Sequence, residues 1–286
     1  MTLQKIGSFF LTRILLGLAV VIGSVALAEW GKARVLQQVT LSYNTQNWID
    51  TLMAVTFALC SYILLYRWWE KRTIIELSIA SFPKNALAGL IAGLGMQALF
   101  ILVMYATGHY SITRVHVLAV LVAAIPFALT AGVVAEILLV GILFRIVEEK
   151  AGTLIAMVCM VVLFVVAHWN VTGATTISLM ATVVEAGLLI PSLYVLTRNL
   201  WAVIFMHFSW DLAEPGIFGG INPGMHTAQS LFSSQVTGPG WLSGGAMGPQ
   251  NSLPALVLSC GASFIFLWLA WKKDKIVSPW WKPAKR

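Results

Sequence analysis

The chain has 286 residues, of which 59% are hydrophobic and only 10% charged, and its mean hydropathy is +0.85. A soluble domain carries about 25% charged residues to meet water over its surface, so a soluble enzyme, a secreted disulfide scaffold and a disordered tail are all excluded. The net charge of +7, from 18 Lys plus Arg against 11 Asp plus Glu, is read as orientation in a membrane, where cytoplasmic loops retain Lys and Arg, and implies no nucleic acid.

Predominantly apolar runs of roughly 20 residues cross a bilayer. In chain order they are predicted at 6–28, 51–67, 86–107, 116–144, 153–168, 175–197, 199–213 and 252–271. The expected fold is therefore all-α, a polytopic membrane helical bundle of about eight transmembrane helices in one integral membrane domain over 1–286. The runs 153–168 and 199–213 fall short of the usual spanning length and are also readable as shorter helices inside the bundle.

In the first run, Lys5 and Arg13 precede an apolar stretch ending in Ala26-Leu27-Ala28, a small-x-small pattern that also occurs at signal-peptide cleavage sites. The run continues apolar on both sides of Arg13, so an uncleaved helix is expected. Glycines Gly89, Gly93 and Gly95 of the third run suggest close helix packing. Cys60, Cys159 and Cys260 lie far apart without metal-ligand spacing and are expected to be buried small apolar residues.

Placing both termini in the cytoplasm leaves only Lys32, Arg34 and Arg114 of the 18 basic residues on the opposite side. An error of one span would invert every later loop, so this asymmetry supports the count. The connection from Glu214 to Ser252, rich in Gly, Pro and Ser and free of Lys and Arg, goes outside. Trp68, Trp69, Trp280 and Trp281 are expected as anchors at headgroup level.

Ionisable side chains are costly in hydrocarbon, so those inside spans are functional candidates. They are Glu136 in the fourth run, His168 at the end of the fifth, Glu185 in the sixth, and His207 and Asp211 in the seventh. His109, His116 and His226 fall in loops or at span ends. His207 and Asp211 are four residues apart and share a helix face, as do Phe164 and His168. Depth argues partly against one site: at 1.5 Å per residue, Glu136 and His207 lie about 12–14 Å from the cytoplasmic ends of their helices and His168 about 24 Å. Either the fifth helix is displaced or tilted, or His168 stands outside the site.

The pattern resembles the CAAX protease and bacteriocin-processing family of intramembrane peptidases. That family's motifs are EExxxR followed by Gly, then FxxxH, then HxxxN or HxxxD, on separate helices in that order. Phe164-Val165-Val166-Ala167-His168 matches the second and His207-Phe208-Ser209-Trp210-Asp211 the third. Thr197-Arg198-Asn199-Leu200-Trp201, Glu185-Ala186-Gly187-Leu188-Leu189 and the segment from Gly141 to Glu149 also look like bacterial members. The likeness runs over about 65–215, with a family-like core at about 115–215. Aligning Gly141 with the family glycine puts Ala135 at the first Glu, Glu136 at the second and Val140 at the Arg.

The resemblance implies an integral membrane protein that hydrolyses peptide bonds in or near the bilayer, with a membrane-associated or prenylated polypeptide as substrate. Its expected place is a bacterial inner membrane, with N- and C-termini cytoplasmic. It also implies His168 as the base's partner and His207 and Asp211 as oxyanion or ligand groups, with Glu136 or Glu185 as the displaced acid. Two histidines and an acid, His168, His207 and Glu185, could instead hold a divalent metal such as zinc, although neither histidine pair has the HExxH spacing of soluble zinc proteases. With Ala135 and Val140 in place of the motif Glu and Arg, a pseudoprotease that binds a peptide, lipid or partner without cutting is the alternative.

Overall fold

Most apolar runs become helices here with a strong start, a capping side chain or a proline in the first turn. A computed structural model describes residues 9–35, 39–219 and 230–281; Lys5 and His226 lie outside the described residues. Helix α1 spans Phe10–Val35 and α2 Tyr43–Trp68, the latter capped by the Ser42 hydroxyl, which accepts from the Thr45 N–H. Helix α3, Phe82–Ala106, and α4, Ile125–Ala151, carry Pro83 and Pro126 in their first turns, where a missing N–H costs nothing. Helix α5 is Thr153–His168 and α6 Thr176–Thr197, opened by a capping box between Thr175 and Ser178. Asn199 caps α7, Leu200–Leu212, and Ser252 caps α8, Leu253–Lys272.

Six of these helices, α1, α2, α3, α4, α6 and α8, are long and apolar enough to cross a membrane. Helix α5, with 16 residues, and α7, with 13, are shorter. Helix α1 runs unbroken through Ala26-Leu27-Ala28. The core centres on Tyr62, Phe100, Ile137, Phe144, Leu200 and Ile204, all fully buried, while large apolar side chains such as Leu15, Ile91, Val166 and Phe264 face outward, as an outer surface in contact with lipid requires.

The cysteines correct the expectation made for them: Cys60, Cys159 and Cys260 are free and exposed. In a bundle whose exterior is apolar, a small weakly polar side chain loses nothing by facing outward, so composition does not drive it to the interior.

Helices alternate between two ends. At one, β1 (Tyr110–Val115) pairs antiparallel with β2 (Phe232–Val236), joining the α3–α4 connection to the α7–α8 connection. His116 Nε2 lies 2.9 Å from Ser233 Oγ beside this strand pair. At the other, basic end, Arg13 meets Glu70 at 2.6 Å and Glu149 at 2.9 Å, Arg72 meets Glu76 at 2.6 Å, and Arg198 pairs with Glu148 and with the Lys275 carbonyl. Gly152, at φ +87°, ends α4 and lies so close to Val277 and Pro279 that a side chain there would strike backbone. Thr153 N–H donates to the Val277 carbonyl at 3.0 Å, which ties the tail across the start of α5.

Candidate functional site

Helix α7 carries the site because three glycines hold its backbone. A Cβ on Gly89 of α3 would come 2.8 Å from Met206 N, one on Gly93 3.1 Å from Trp210 N, and one on Gly132 of α4 2.8 Å from Ile204 O and 2.9 Å from Phe208 N. Such approach is the usual role of small residues between membrane helices. Two of the three glycines noted in the third run therefore pack as expected; Gly95 faces open space. Gly132 lies one turn before Glu136, so its contact with α7 sets the distance from Glu136 to the next turn of that helix.

Across that seam Glu136 Oε1 lies 2.6 Å from His207 Nδ1, and on the other edge of the ring Asp211 Oδ2 lies 3.4 Å from Nε2. The Glu136 side chain is 3% exposed, whereas that of His207 is 22% exposed and that of Asp211 12%. One oxygen of Glu136, Oε2, is buried without a hydrogen-bond partner. Glu185 of α6 is close enough to Glu214, Asp211 and His207 to interact with them electrostatically, with the Trp210 indole beside it.

Each acid-bearing helix widens at its acid. The π-helical stretch Ile137–Phe144 follows Glu136 directly, Glu185–Leu189 begins at Glu185, and Ala213–Phe218 contains Glu214. A π-turn accommodates an extra residue and is frequent at functional sites. Glu136 and Gly141 are thus separated by π geometry, which changes the face relation that an α-helical count assigns them. Glu136 is buried and Ala135 only partly so, while Val140 is 1% exposed in the apolar core.

His168 stands apart. Its Nδ1 lies 3.1 Å from the Phe164 carbonyl of its own helix, and its ring stacks on Phe164 with centroids 5.8 Å apart. It forms no hydrogen bond to Glu136, Glu185 or His207. Among the described residues, no three His, Cys, Asp or Glu side chains form a group able to hold a metal ion. The trio His168, His207 and Glu185 therefore does not fit a zinc site.

Sequence reading missed four polar residues of this interior. Glu214 is fully buried; its Oε1 accepts the Gln250 backbone N–H at 3.2 Å and its Oε2 has no hydrogen-bond partner. Gln250 Oε1 accepts from the Trp210 indole at 2.7 Å and from Gln97 Nε2 at 3.3 Å, and Asn251 Oδ1 accepts from the Thr182 hydroxyl at 2.6 Å. Gln97, alone among apolar neighbours in the third run, was a legible signal. Glu214 precedes Pro215-Gly216 and Gln250 lies in a Gly- and Pro-rich segment, so both resemble loop residues.

Apolar helices enclosing a cluster of carboxylates about one imidazole define an integral membrane protein with a polar site inside its bundle. Residues 116–213, which include Glu136, His168, Glu185, His207 and Asp211, match the family model described as type II CAAX prenyl endopeptidase Rce1-like, a match that supports membership of the CAAX protease and bacteriocin-processing family. No curated protein and no solved structure matches the chain.

Proposed function

We propose that this protein is an intramembrane endopeptidase that hydrolyses a peptide bond of a membrane-associated or prenylated polypeptide, with Glu136, His207 and Asp211 as its chemical centre. The observation that carries this reading is the 2.6 Å contact of Glu136 Oε1 with His207 Nδ1, made by a buried carboxylate on a partly exposed ring. A carboxylate that accepts from Nδ1–H holds the imidazole in the tautomer whose Nε2 is free to take a proton. Nε2 then deprotonates a water that attacks the scissile carbonyl and returns that proton to the leaving amine. Asp211, 3.4 Å from Nε2, orients the water. The π-turn after Glu136 supports its use in place of the carboxylate absent at Ala135. His168 joins this centre only through movement of α5 when substrate binds, and Glu185 lines the same volume from α6.

The basic residues at one end of the bundle support a cytoplasmic position for that end and for both termini, in a bacterial inner membrane. The whole chain over 1–286 is taken as one domain with its family-like core at about 115–215.

The second reading is a pseudoprotease, favoured by Ala135 at the first-motif position and by the separation of His168. The separating experiment places the purified protein in liposomes with farnesylated and unmodified peptides and follows products by mass spectrometry. Products from the wild type that vanish in Glu136→Gln and His207→Ala, with helicity unchanged, support the peptidase. Peptide retention without products, equal in the wild type and both variants, leaves the pseudoprotease.

A further inference from the structure

We propose that the groove between α5 and α8 at the basic end binds an anionic phospholipid, with an acyl chain between the helices and the phosphate on Lys272. The groove encloses about 330 Å³ and is lined by Leu154 and Met157 from α5, by Phe264, Trp268 and Trp271 from α8, and by Ile276. The polar residue at its wall, Thr153, is already engaged: its hydroxyl donates to Glu148 Oε1 at 2.5 Å and accepts from Val277 N–H at 2.9 Å. Hydrocarbon is therefore the occupant that the walls accept without leaving a polar group unmet.

Charge decides which lipid. Lys272 Nζ lies 3.8 Å over the centroid of the Trp268 ring that lines the groove, so a cation is held against the wall where a headgroup would emerge. Lys150, two residues before Gly152, is exposed with its Nζ 5.7 Å over Trp280, and Lys273 is exposed beside Lys272. Asp274 is an exposed acid in the same stretch, so Lys150, Lys272 and Lys273 outnumber it. Lys275 is committed to the Leu196 carbonyl at 2.6 Å. A zwitterionic lipid would fill the groove but leave this surplus uncompensated, and a partner helix would need acids of its own opposite Lys272.

The test is native mass spectrometry of delipidated full-length protein titrated with phosphatidylglycerol and with phosphatidylcholine of the same chains. Phosphatidylglycerol is retained preferentially, and Lys272→Gln lowers its retention roughly fivefold, the factor attached to one lysine near an anionic surface. Lys71→Gln, at an exposed lysine of the same end, leaves retention unchanged. Leu154→Trp, which fills the groove, lowers retention of the bound lipid with helicity preserved. Equal retention of the two lipids, or equal loss in Lys272→Gln and Lys71→Gln, overturns the proposal. So does displacement of the bound lipid by a farnesylated peptide at equal concentration, which assigns the groove to a lipidated polypeptide.

Discussion

The polar interior and the basic end both bury carboxylates in an apolar protein, but they balance them differently. At the basic end Glu70 has Arg13, Glu76 has Arg72 and Glu148 has Arg198, and the guanidinium fork satisfies both oxygens of Glu76 and of Glu148. In the interior Glu136, Glu185 and Asp211 gather about a single imidazole with Glu214 beside Glu185 and Asp211, and Glu136 Oε2 and Glu214 Oε2 have no hydrogen-bond partner. Paired charges at helix ends hold the bundle's shape. Acids in excess of bases inside a bundle cost stability, and such groups mark sites where protons or substrates are handled.

One substitution in each region separates the two roles most clearly. On the proposed peptidase mechanism, His207→Ala lowers peptide cleavage by roughly 10²- to 10⁴-fold, the worth of a general base, with the thermal midpoint in detergent little changed. Arg198→Ala does the reverse: it strands the buried Glu148 and destabilises the fold by about 3–5 kcal/mol, while cleavage per folded molecule persists. If both variants lose both properties, the two regions are one structural network and the distinction fails.

Gly132→Leu tests whether backbone contact between α4 and α7 sets the dyad. The added side chain meets the Ile204 carbonyl and the Phe208 N–H and costs about 1–3 kcal/mol or more, and cleavage falls because Glu136 is pushed from His207. Gly95→Ala, in open space, changes neither.

A smaller effect concerns pH at the basic end. Burial works against the Glu76 charge, but the Arg72 guanidinium and the Tyr62 hydroxyl outweigh it and hold its carboxyl below the usual carboxylate range. A depressed folded value means that the contribution is present above the unfolded pKa of about 4.3 and is lost as pH falls through the folded value. Stability should therefore decline in acid below about pH 4, and the decline should be shallower in Glu76→Gln, as read by denaturation across pH.

The smallest change is expected from Ala135→Glu. With Glu136 already on His207, a second acid at a partly exposed neighbour leaves cleavage on the proposed mechanism near the wild-type level. A large gain would show that the family position still governs the reaction. Restoring Arg at Val140 would bury a guanidinium in the apolar core beside Ile137 and Phe144, so that change is expected to destabilise the fold.

Much of the fold was legible in local chemistry. Apolar runs placed α3 and α5 to α8 within a few residues of their observed limits but missed one or both ends of α1, α2 and α4 by about two turns, and Asn199 and Ser252 cap helices as short polar residues do before apolar runs. Spacing of four correctly put His207 beside Asp211 and Phe164 beside His168, because both pairs lie within one helix. Burial was harder: the same logic misplaced the three cysteines, since hydrophobicity cannot say which apolar face meets lipid and which meets protein. Glu214 and Gln250 were unreadable for a related reason, their partners being brought by a segment that folds back onto the bundle.

Hydropathy and i,i+4 spacing act over a few turns, so they were enough to read a membrane-embedded helical protein, the order of its helices and a likeness to one family's second and third motifs. Which acid faces the imidazole was decided only in three dimensions. Glu136 and His207 are 71 residues apart, and their contact depends on a glycine seam that brings two backbones together at Gly132, one turn before Glu136. That seam is not encoded in the period of a single helix; it arises from packing one helix against another.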